Sequence, residues 1–101
     1  MWSIIVINNK KRSLMMDKIE TQVREGKRAQ VLLNDPLLKQ AFEDLLDTYK
    51  QEIFHTSFAD DEKRRSLWMA YNMLDKIRGH LQTIMESGKL AQQDLELLNK
   101  S

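Results

Sequence analysis

No cysteine occurs among the 101 residues, which removes disulfides, thiolate metal sites and a cysteine nucleophile together. One proline and three glycines are too few turn residues for a chain of many short strands. No apolar run approaches the ~18 residues of a membrane span. The apolar stretch Trp2–Ile7 precedes the basic cluster Lys10-Lys11-Arg12, the reverse of the order in a secretory signal. Neither sign of charge dominates: sixteen Lys and Arg against fifteen Asp and Glu leave a net of +1, so no strong global field points at nucleic acid or an anionic membrane.

Chemical motifs are equally scarce. There is no Gly-rich phosphate loop, nucleophile elbow or dinucleotide fingerprint. His55 and His80 stand apart, neither with a second ligand at metal spacing. Asp60-Asp61-Glu62 lacks the glycine and ligand alternation of a calcium loop and reads instead as the acidic first turn of a helix. The expectation is a protein with no metal, no cofactor and no small-molecule substrate, and not an enzyme.

What is present is helical periodicity. Leu67, Ala70, Leu74, Ile77, Leu81 and Ile84 recur at three- and four-residue steps and line one face of a helix. Leu38, Ala41, Phe42, Leu45, Leu46, Tyr49 and Ile53 do the same upstream. Asp35 is a natural N-cap, because Pro36 disfavours helix at the residue before it and suits the first turn after it. The link His55–Ala59 is short, so the two helices should lie side by side and antiparallel, with Ser57 or Asp60 capping the second and Phe58 plugging that end. Gly88 follows Glu86-Ser87 as a helix stop. The spacing thus predicts an all-α fold: an antiparallel hairpin over about 36–55 and 60–87, a weaker N-terminal helix from Asp17 to Leu33 whose first half is weakened by Gly26, and a short C-terminal helix from Leu90 to Leu98. Residues 16–101 form one domain. Residues 1–15 read as disordered or as an upstream extension, with Ile4–Ile7 a strand that has nothing to pair with.

Two surfaces are candidates for function. Trp68, Met69, Tyr71 and Met73 carry more apolar surface than one antiparallel neighbour can cover, and aromatics and Met are enriched where proteins meet; this predicts a contact with the terminal helices, a second copy or another protein. The charge is also uneven: Met1–Asn34 carries a net +4 and Asp35–Ser101 a net −3. Arg24, Lys27 and Arg28 on the first helix, and Lys63, Arg64 and Arg65 one turn before Trp68, are the candidate nucleic-acid contacts. The competing reading is a set of solvated faces, with Lys63–Arg65 paired to the acids before them.

From Ala29 to Glu96 the chain resembles a family of small helical proteins encoded by tailed bacteriophages. The residues that carry the resemblance are Ala29–Leu38, Ala41-Phe42, Leu67-Trp68, Leu74–Leu81 and Gly88–Ala91. They are mainly helix-packing positions and bring no catalytic residues with them. The resemblance implies a helical hairpin core and a phage origin, in the host cytoplasm or associated with the virion. It leaves three roles open: a self-associating protein of virion assembly or genome packaging, a DNA-binding accessory resembling a small terminase subunit in role, or an inhibitor that binds a host enzyme.

Overall fold

Asn34-Asp35-Pro36 is the one helix break expected from residue chemistry in the first half of the chain, and the break falls there. The computed structural model describes the backbone of residues 2–100 and the side chains of residues 10–100. It contains three helices: α1 (Trp2–Asn34), α2 (Pro36–His55) and α3 (Asp61–Lys100). No strand occurs among the described residues. Asp35 is extended and its carboxylate accepts from the Leu38 backbone N–H at 2.9 Å, with Pro36 in the first helical position. Asp60, not Ser57, caps α3, accepting from the Lys63 N–H at 3.1 Å.

The helices pack as two units, Met1–Gln30 with Thr83–Ser101, and Val31–Gln82. The second unit contains the expected hairpin. A five-residue link, Thr56–Asp60, returns the chain along α2. Arg64 holds the link by donating to the Ser57 carbonyl at 2.8 Å while its other terminal nitrogen pairs with Asp61 at 2.6 Å. The seam takes Leu38, Phe42, Leu46, Tyr49 and Ile53 from α2, and Leu67, Tyr71, Leu74, Arg78 and Leu81 from α3. Those α3 residues step by four, three, four and three, the period of two helices in sustained side-by-side contact. Ile77, expected in the seam, is instead 54% exposed. Tyr71 and Arg78, seven residues apart, take the seam side together, with the Arg78 stem half-buried and its guanidinium bonded to Asp75 at 2.9 Å. Phe58 plugs nothing. It is 95% exposed, and the link is held instead by Arg64 and the Asp60 cap.

In the first unit, α1 packs on the last turns of α3 through small residues. Val23, Gly26 and Ala29 are buried on one side, Gly88 and Ala91 on the other. The backbones nearly touch: a Cβ built on Gly26 would sit 2.6 Å from the Gly88 Cα, and one on Gly88 2.9 Å from the Gln22 carbonyl oxygen. This contact corrects the expected stop at Gly88. No glycine has a positive φ, so Gly88 does not adopt the left-handed cap, and the expected short C-terminal helix is the continuation of α3. Gly26 likewise lies within a continuous α1. Both glycines remain helical because their missing side chains are what let the helices approach. At the other end α1 starts at Trp2, so the backbone of Ile4–Ile7 is helical and not a strand; a helix satisfies its own polar groups where a lone strand cannot. The expected boundary at residue 15 falls within α1, and the side chains of residues 2–9 lie outside those described.

Candidate interaction surface

The seam positions determine what the hairpin shows to solvent. Leu37, Ala41 and Leu45 each precede a seam residue of α2 by one position, and Met73 and Ile77 do so on α3, with Met69 a turn earlier. One residue back is a rotation of about 100° about the helix axis. Because the helices are antiparallel, the two rotations end on the same side of the hairpin. Two apolar rows therefore lie next to each other on one face, with Leu37 80%, Met69 63% and Met73 64% exposed. Glu52 and Glu62 bound the face at the loop end. Residues that follow the seam by one position, Lys39, Glu43, Asp47 and Lys50 on α2 with Asn72, Asp75 and Gln82 on α3, make the opposite face more polar, with Phe54 and Trp68 exposed among them. Beneath the apolar face, Leu46 is the only buried hydrophobic residue of the unit.

The four residues singled out in the sequence do not form one patch. Met69 and Met73 lie on the apolar face. Tyr71 is half-buried in the seam. Trp68 stands nine residues, hence two and a half turns, before Ile77 and therefore lies on the polar side, its ring meeting the edge of Tyr71 at 5.7 Å between centroids. Leu37, Ala41, Leu45 and Ile77 are the members that sequence reasoning missed, because it assigned the last three to the seam and gave Leu37 no role. Their signal was the parallel spacing of Leu37-Ala41-Leu45 and Met69-Met73-Ile77, four residues apart in both helices.

Of the basic candidates, Arg64 is engaged by Ser57 and Asp61, whereas Lys63 and Arg65 are exposed. Arg24 and Arg28 are exposed one turn apart on α1, and Arg24 donates to the Thr21 hydroxyl at 3.4 Å. Lys27 lies about 60° round the helix from Arg24, and with Lys89 it borders an open groove of about 420 Å³ beside Gly26 and Gly88. Among the described residues no group of three or more His, Asp or Glu side chains is placed to hold a metal ion. No helix among them is long and apolar enough to cross a membrane.

No family model matches the chain, and no curated protein or solved structure does so either.

Proposed function

We propose that this chain is a non-enzymatic helical interaction protein that associates with copies of itself. In line with the resemblance to small tailed-phage proteins, its setting is virion assembly or genome packaging in the infected cell. The observation that carries this reading is the two-row apolar face over a hairpin with a single buried hydrophobic residue. A contiguous apolar patch of this kind marks a surface that another protein covers, and a unit this thin gains most of its stability from that cover. The basic side chains support a nucleic-acid role less well, since Lys63, Arg64 and Arg65 are successive residues that diverge around α3 and Arg64 is spent on the link. Light scattering over a concentration series tests the association: dimers or larger species are expected, and a monomer at the highest concentration would overturn it. Co-purification with capsid or packaging proteins from producing cells tests the setting.

A further inference from the structure

We infer that the apolar face receives the same face of a second copy, in a four-helix bundle where α2 of each copy lies antiparallel on α3 of the other. The inference rests on the self-association proposed above and specifies its surface and symmetry. Leu37, Ala41 and Leu45 of one copy would cover Met69, Met73 and Ile77 of its mate, and the reverse. Burying these residues removes on the order of 500 Å² of apolar surface from each copy, which with a polar rim reaches the ~800 Å² per partner of a standard interface.

Charge selects a second copy and the way it sits. The outer edge of the α2 row carries Gln40, Asp44 and Gln51, all exposed; the outer edge of the α3 row carries Arg65 and Lys76, also exposed, with Glu62 at its loop end and His80 at the other. Between those ends one edge is acidic to neutral and the other basic. Asp44 accepts a bond from Gln40 at 2.8 Å, and neither Asp44 nor Lys76 belongs to an ion pair among the described residues. Two face-to-face arrangements have two-fold symmetry. With the axis across the helices, α2 meets α2 and α3 meets α3, which sets the Arg65 and Lys76 edge of one copy against the same basic edge of the other. With the axis along the helices, α2 meets α3, and Asp44 comes within a turn of Lys76 of the second copy, twice per dimer. Only the second arrangement is complementary at both edges.

Complementary charge variants test the symmetry on the full chain. Asp44→Lys alone and Lys76→Asp alone should each raise the dimer Kd roughly tenfold or more, since two attractive contacts become two repulsive ones. A mixture of the two should recover near wild-type affinity, because both edges of the mixed dimer again pair opposite charges. Circular dichroism of each variant should match wild type, both positions being exposed. A wild-type dimer that tolerates both single variants, or a mixture that fails to recover, overturns this arrangement and leaves self-association standing. A monomeric wild type overturns both.

Discussion

Replacing single glycines by alanine separates the two ways a helical glycine can act, and this chain contains both. An added Cβ at Gly79 meets nothing within 4 Å, so Gly79→Ala contributes only helix propensity and should stabilise by about 1 kcal/mol. At Gly26 the same gain is present, but the new Cβ would sit 2.6 Å from the Gly88 Cα and 3.2 Å from the Ile84 carbonyl oxygen. Both obstacles are backbone, so no side chain can swing away and the helices must part by about 1 Å. A gap of that size forfeits a quarter to a half of each contact's dispersion energy, and the neighbouring Val23, Ala29 and Ala91 are too small to close it. Overpacking of this kind costs about 1–3 kcal/mol. Propensity cancels in the difference between the two variants, which should therefore equal the overpacking term. Gly88→Ala should be the more damaging of the crossing variants, with the Gln22 oxygen at 2.9 Å as well. Urea denaturation followed by circular dichroism measures all three, and in thermal melts each kcal/mol corresponds to about 4–8 °C for a chain of this size. Equal stabilisation by Gly26→Ala and Gly79→Ala would refute the close crossing.

Two further substitutions probe the hairpin unit. Leu46→Ala removes its one buried hydrophobic side chain and should destabilise by about 2 kcal/mol, the low end for such truncations because the site is thinly covered and can partly collapse; the same denaturation series reads it. Asp35→Ala deletes the acceptor of the Leu38 N–H bond and should cost about 1 kcal/mol, with Asp35→Asn restoring most of it, so equal losses for both variants would count against capping.

Local chemistry was readable wherever it involved neighbours in sequence. The all-α class, the α1–α2 break and the link between α2 and α3 follow from period, from Pro36 and from carboxylates placed to accept orphan N–H groups. The errors arose where one residue type serves two purposes. Gly88 has the credentials of a helix stop, and only its place opposite Gly26 shows that its missing side chain is used for contact. Ile77 and Arg78 exchange roles for a similar reason: a stripe wider than a seam can be rotated by one residue without disturbing its periodicity, and only the packed pair of helices shows which rotation is taken.

The candidate surface divides the same way. Its ingredients were visible as an excess of Leu, Met and aromatic side chains around Trp68, Met69, Tyr71 and Met73. That Trp68 turns away from them is also a matter of angle along a single helix, but it becomes informative only once the seam direction is known. That Leu37, Ala41 and Leu45 join Met69, Met73 and Ile77 on one face depends on two helices running antiparallel with a particular rotation about each axis. The sequence by itself determined the all-α class, the α2 helix and where α2 and α3 are capped, because those choices depend on propensity and on hydrogen bonds spanning three or four residues. Tertiary structure alone decided which apolar residues are covered and which remain exposed, because burial is a property of what lies opposite.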